Sequence, residues 1–503
     1  MDETTALLVW VILLPFVGAM VAFILGPRKS PIVTIITSCC IIFVVTALTW
    51  QVWTYGPQRH DIGGWIAPLG IALYADGLTV LMLIMSVVVG TLVSVYALGY
   101  FTDSSISAVT GGTNHKPKSS FFWVLWLFLW AALHALFLSR DIFNIYIALE
   151  MMTLAAVALI TLEGESEAIT SAIRYLLTSL IGAALFLLGV AILYANFGTL
   201  EFDGIGELMQ TGSLSLVAIA LITVGLLLKT ALFPMHFWLP PAHTNALTPV
   251  SSLLSGLVIK GSFYVLLRFW FQIFPPEVTK VAGHLIGYLA AAAILWGSLA
   301  AMCQHRLKML VAYSTVAQVG YLFLLFPLAS EEIHGLGAWH GAIYQAVSHA
   351  CAKAAMFMVA GNIIRAVGHD RIKDLEGICQ QLPISTFAFA LAGLTIMGMP
   401  PSGGFAAKWM LITTSLQSEQ WWWAIILLVG GLLAACYIFS FLKYAFIKKR
   451  VLNVQLLPVP RCMEWTPLIL SLLALAIGFT PMPLDLLRIG NPFSDAITLE
   501  VVK

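Results

Sequence analysis

Fourteen apolar runs, each near the twenty residues a helix needs to cross a bilayer, follow one another along this chain with no long polar insert between them. They cover approximately 5–26, 31–53, 75–99, 121–138, 141–162, 168–195, 214–238, 247–272, 281–301, 307–328, 336–366, 384–414, 421–446 and 464–482. Hydrocarbon offers no water to an unpaired backbone group, so only helices and closed barrels can cross it. Barrel strands read as short alternating segments, whereas these runs are continuous. The expected fold is an all-α integral membrane protein of about fourteen transmembrane helices in one polytopic domain over residues 1–503. Only 10% of residues are charged, against roughly 25% in a soluble domain.

Residues 1–5 carry two acids, no basic segment and no small-residue cleavage site, so the first run is expected to stay in the protein as a helix. The Lys/Arg bias sets the expected orientation. With the N-terminus outside, fourteen of the 25 Lys and Arg residues fall in inner connections, among them Arg28, Lys29, Arg306, Lys308 and the anchor Lys448-Lys449-Arg450. Five fall outside and six within helices, so both termini are expected to face outward. The triple Trp421–Trp423 opens the thirteenth helix where an outer aromatic belt is expected. Seven scattered cysteines form no CxxC pair and suggest no disulfide frame, iron–sulfur cluster or zinc site, so neither cofactor nor metal is expected. A net charge of +1 indicates neither a nucleic-acid partner nor an acidic substrate.

Five ionisable residues stand inside these runs: Glu150, Lys229, Lys260, Lys353 and Lys408. Each costs about 2.5–3.5 kcal/mol even on lenient insertion scales, so an intramembrane charge is a functional hypothesis by default. Glu150 follows Asp141 by nine residues, which puts it roughly 13–14 Å deep and near mid-membrane. No opposite charge lies a turn away on its helix, so its partner must come from another one. Lys229 precedes a break at Pro234, and a carboxylate such as Glu150 would decide whether this buried amine keeps its proton. Lys260 lies among small residues that admit another helix or water. His349 and Lys353 are four apart and share a helix face, a pairing suited to a proton relay. Lys408 follows a second break, Met399-Pro-Pro-Ser-Gly-Gly404.

Breaks at corresponding places in two halves point to inverted repeats. The breaks fall on helices seven and twelve, which suggests two five-helix repeats, 121–272 and 281–446. Among weaker candidates, His236 and His243 flank a Trp-Leu-Pro-Pro turn and are candidates for an inner channel mouth. Arg174 and Arg268 read as snorkelling side chains, Asp76 as a helix N-cap, and His305 and Lys308 as solvated loop residues.

The segments 141–150 (DIFNIYIALE), 228–243 (LKTALFPMHFWLPPAH), 308–320 (KMLVAYSTVAQVG) and 399–408 (MPPSGGFAAK) resemble the antiporter-like subunits of respiratory complex I and the D-type subunits of Mrp cation/proton antiporters. The resemblance covers nearly the whole chain. It implies fourteen helices with inverted five-helix repeats, a first ion pair of Glu150 and Lys229, a link between the halves through Lys260 and His349, with Lys353 a turn away, and a terminal lysine at Lys408. D-type antiporter and N-type complex I subunits fit best. M-type subunits usually carry glutamate where Lys408 stands, and the 21 residues after the last helix leave no room for the lateral helix of L-type subunits. The polar connection 101–120 is longer than either best-fitting type suggests, and hydrogenase-linked or carbon-dioxide-hydrating membrane complexes use similar subunits.

The implied function is a proton-translocating subunit of a multi-subunit Na+/H+ antiporter in the cell membrane, exchanging protons for Na+ or K+ beside other membrane subunits. The alternative is the same proton module in a redox-driven complex of the NADH-quinone oxidoreductase or membrane-bound hydrogenase type, in which this chain would hold no redox centre. A structural scaffold with unused charges is the reading from a different class, and five buried ionisable groups argue against it. Glu150 is the one mid-membrane carboxylate in the sequence reading, too few oxygen ligands for a dehydrated cation, so any sodium site is expected on a partner.

Overall fold

The computed structural model describes residues 6–65, 70–102, 116–329, 335–447, 457–480 and 482–493. The basic anchor Lys448-Lys449-Arg450 and most of the polar connection 101–120 lie outside the described residues or their described side chains. The helices are α1 (Ala6–Leu25), α2 (Ser30–Tyr55), α3 (Gly77–Thr102), α4 (Lys116–Leu138), α5 (Ile142–Thr161), α6 (Ser166–Phe197) and α7 (Ser213–Thr230). After them come α8 (Thr248–Gln272), α9 (Pro276–Met302), α10 (Leu307–Leu328), α11 (Gly335–Val367), α12, α13 (Trp421–Ala445) and α14 (Arg461–Phe479). Thirteen of these are long and apolar enough to cross a membrane. The other, α12, consists of two 15-residue halves, α12a (Pro383–Met397) and α12b (Gly403–Gln417), too short to cross singly. The chain is a multi-pass, all-α integral membrane protein. A small antiparallel hairpin, β1 (Gln58–Asp61) with β2 (Ala72–Ala75), lies between α2 and α3.

Helix breaks have local causes. At the end of α7, Ala231 turns into the left-handed region (φ 56°), and Pro234 has no N–H to continue the ladder. The Trp238 indole N–H instead donates to the Leu228 carbonyl at 3.0 Å. A short helix, Leu239–Asn245, follows before α8 begins. In α12, Gly398 ends α12a at φ +80°, and Ser402 caps α12b by accepting from the Phe405 N–H. Within α8, a π turn at Leu254–Val258 interrupts the regular hydrogen-bond ladder.

Burial sorts the helices. The chain buries α8 throughout and α10 and α11 nearly so, while α1, α2, α13 and α14 present wide apolar faces outward. Ile24, Phe43 and Leu432 stand on those outer faces, where hydrocarbon, unlike water, makes their exposure costless. Close packing relies on missing side chains. A Cβ on Gly225 of α7 would lie 2.5 Å from the Gly182 carbonyl of α6. One on Gly320 of α10 would lie 2.5 Å from the Ala290 carbonyl of α9. Lys260, Lys308, His349 and Lys353 are buried on the central helices α8, α10 and α11, and Lys229 and Lys408 on the two broken ones.

Candidate functional site

The five ionisable residues that stand inside the apolar runs fall into three groups. The first joins α5 to α7. Lys229 Nζ donates to Glu150 Oε1 at 2.7 Å and to Thr153 Oγ1 at 3.2 Å. Lys229 lies in the last turn of α7, where the chain turns away at Ala231, so its stem reaches across to α5 without leaving the protein.

The second group lies between α8, α10 and α11. Lys260 is fully buried, and its Nζ donates to the Ser255 carbonyl at 2.5 Å. Ser255 belongs to the π turn, so the widened helix supplies the acceptor. The adjacent Gly261 makes room for Leu136 and Met152 of neighbouring helices. Lys353 donates to the Val311 carbonyl at 2.9 Å and to the Ser314 hydroxyl. His349, one turn away, is buried, and neither ring nitrogen has a hydrogen-bond partner. It lies within electrostatic range of Lys260 and Lys353. His243 is likewise buried with both nitrogens unpartnered, and it feels Lys260, Lys353 and Lys308. His236 is half-buried and stacks on Phe233 at 5.4 Å.

The third group centres on Lys408, whose Nζ donates to the carbonyls of Ile396 at 2.9 Å and Met397 at 3.1 Å. These oxygens end α12a and have no donor within their own helix. The ammonium also sits 4.2 Å from the Tyr321 ring centroid. Gly398 serves this arrangement twice. It adopts the left-handed end of α12a, and a Cβ there would come within 2.6 Å of Lys408 Cδ.

Two readings from the sequence need correction. Arg268 does not snorkel outward. It is buried and grips Asp76 with two bonds of 2.6 Å, with a third to Thr79 Oγ1 at 2.8 Å. Asp76 does cap α3, accepting from the Thr79 N–H at 2.9 Å, and it is also one half of this buried ion pair. Lys308 is not a solvated loop residue. It is buried at the start of α10, where Nζ donates to the Ala246 carbonyl at 2.6 Å and its N–H donates to Asp370 at 3.0 Å. His305 and Arg174 are exposed, as expected. Of the tryptophan triplet, Trp421 and Trp422 are exposed, but Trp423 turns inward to donate to Gln420 at 2.9 Å.

Chemically, one lysine is paired with a carboxylate while Lys260, Lys353 and Lys408 rest on carbonyl or hydroxyl oxygens. Lys260 and Lys353 lie close enough to interact, so the protonation of one bears on the other. Such a series suits stepwise proton transfer. Among the described residues, no three His, Cys, Asp or Glu side chains come together as a metal site.

Comparison with known proteins adds to this geometry. The family described as NADH:quinone oxidoreductase/Mrp antiporter, TM matches residues 139–434. The chain is 33% identical to the N-type subunit of the NADH-quinone oxidoreductase of Desulforudis audaxviator, over 78% of this chain and 76% of that one. It is 30% identical to the D-type subunit of the Na(+)/H(+) antiporter of Alkalihalophilus pseudofirmus, over 86% of each. In fold it matches a chain of the Mrp complex from Dietzia sp. DQ12-45-1b with a TM-score of 0.86, at 21% identity and 99% coverage of both.

Proposed function

The chain belongs to the NADH:quinone oxidoreductase/Mrp antiporter transmembrane family, and from that premise we propose that it is the proton-translocating, antiporter-like subunit of a multi-subunit Na+/H+ antiporter. Its partners are other membrane subunits of the assembly. The observation that carries the reading is the series of buried ammonium groups: Lys229 held by Glu150, Lys260 on a carbonyl of the widened turn of α8, Lys353 on oxygens of α10, and Lys408 on carbonyls at the break of α12. Protons enter toward each lysine and pass along Glu150, Lys229, Lys260, His349, Lys353 and Lys408 as neighbouring charges change. His236 and His243, on the connection between α7 and α8, belong to an inner mouth. The two five-helix units, 121–272 and 281–446, are inverted copies, a reading supported by the breaks in α7 and α12, five crossings apart. The chain sits in the cell membrane with both termini outward, which the Lys/Arg bias supports.

The test is proton flux in inside-out vesicles carrying the complete assembly, followed with a pH-gradient dye on addition of NaCl or KCl. Cation-driven flux is expected from the native chain and not from one lacking Lys229. The similarity to an N-type subunit favours a second reading, a proton module of a redox-driven complex. Purification of the intact assembly separates the two. Flavin or iron–sulfur subunits co-purifying with this chain would support the redox-driven complex, and only small membrane subunits the antiporter.

A further inference from the structure

We propose that Gln318 of α10, joined to Gln345 of α11, positions the ammonium of Lys408 and makes that lysine responsive to the charge on the central cluster. This rests on the proton-translocating reading above. Neither amide titrates, so these are positioning residues and carry no proton themselves.

Gln345 Nε2 donates to Gln318 Oε1 at 2.7 Å. Gln318 Nε2 donates to the Ile396 carbonyl at 3.2 Å, with Tyr437 Oη further off at 3.4 Å. That same Ile396 oxygen accepts from Lys408 Nζ at 2.9 Å. One freed carbonyl thus serves an amide and an ammonium together, and moving either donor changes what the other can reach. Both glutamines are buried.

The stripes behind these contacts lead back to the central lysines. Gln345, His349 and Lys353 recur every fourth residue and share one face of α11. Ser314 and Gln318, also four apart, share a face of α10, and Ser314 accepts from Lys353. The two faces therefore meet twice, through Lys353–Ser314 at one end and Gln345–Gln318 at the other. Between and beside them, Gln345 Oε1, Tyr321 Oη, Thr395 Oγ1 and both His349 nitrogens have no hydrogen-bond partner. A site that only needed filling would hold apolar side chains of the same volume, because buried polar atoms left unpaired are unfavourable.

The groups facing Lys408 are few. From α10 come Tyr321 and Gln318; from α13, Tyr437 by way of Gln318; from α11, Gln345, with His349 and Lys353 further along; from α12a, two carbonyls. Among the described residues, no carboxylate bonds to it, and α14 brings no charged group into contact with it. Adding or removing one polar group here should therefore be readable at Lys408.

Two variants in the complete assembly test this, Gln318→Met and Gln318→Glu. With flux driven by NaCl or KCl, Gln318→Met should lower the rate about tenfold while the subunits still assemble. Gln318→Glu, which sets a carboxylate near the ammonium and makes its proton harder to remove, should move the pH profile of flux about one unit alkaline. A readout independent of transport is the pH midpoint for reductive methylation of Lys408, followed by mass spectrometry in the purified assembly. It should move alkaline in Gln318→Glu. Native flux and profile in Gln318→Met, or an unmoved Lys408 midpoint in Gln318→Glu, would overturn the proposal. Absence of cation-driven flux from the native assembly would count against the antiporter reading instead, and the labelling measurement would still decide this one.

Discussion

Glu150 and Lys229 meet at 2.7 Å across α5 and α7, yet the carboxylate side chain is 17% exposed and the lysine side chain 3%. The pair is lopsided. Its acid reaches toward the edge of the chain while its base is sealed inside. Water or a neighbouring subunit can therefore act on the carboxylate without touching the amine, and the ion pair transmits the change. A symmetrical, fully buried pair would be costlier to disturb.

From that geometry, Glu150→Gln should keep the volume and a hydrogen bond to Lys229 but remove the charge. Cation-driven proton flux should fall to near background, with assembly retained. Glu150→Ala should behave likewise and also leave Thr153 as the sole protein acceptor of the amine. Flux at the native rate in both variants would remove Glu150 from the proton path.

The Asp76–Arg268 pair leads to a stability prediction. Asp76 precedes α3 and Arg268 stands near the end of α8, so alternate crossings bring them to the same side of the membrane. Removing one partner leaves an uncompensated buried charge, which costs about 3–5 kcal/mol. Arg268→Met or Asp76→Leu alone should sharply lower the melting temperature of the detergent-solubilised chain. The double variant should recover most of the loss, because no charge is then stranded. A double variant as unstable as the worse single one would show that the charges do more than balance each other.

What could be read from sequence divides along the same line. Glu150, Lys229, Lys260, Lys353 and Lys408 were legible because a charge inside an apolar run is a local, visible anomaly, and Pro234 and Pro400-Pro401 marked the breaks beside two of them. Asp76 and Arg268 were not paired, being 192 residues apart, and each had a sufficient local explanation as a cap or a snorkelling end. Lys308 stood one residue into its run and read as loop. The Ala246 carbonyl and Asp370, each 62 residues away, close over it. Gln318 and Gln345 carry no charge, so nothing in composition separates them from ordinary helix residues. Their meaning appears only when α10, α11 and α12a come together.

At the centre, Lys260→Leu and His349→Leu each replace a buried polar group with an apolar one of suitable size. Each removes a desolvation cost, so the chain should insert and assemble at least as well as the native one. Proton-coupled exchange should nevertheless be lost. Full exchange together with a raised melting temperature would identify both as polar groups retained only for packing.

The last prediction concerns Lys408. Its ammonium rests on two carbonyls freed by the end of α12a and on the face of Tyr321, with no carboxylate bonded to it among the described residues. No fixed negative charge therefore holds its proton in place, which suits a transfer site better than a permanent counter-charge. Lys408→Arg separates the two roles. Arginine keeps the positive charge but does not release its proton in proteins. The guanidinium is larger than an ammonium, so a control is needed for the space beside Gly398. Lys408→Met keeps the stem and removes the charge, and should assemble normally. If Lys408 transfers protons, both variants assemble and both fail in cation-driven exchange. If it acts only through its charge, Lys408→Arg retains more than about half the native rate while Lys408→Met does not, and the proton leaves by another group.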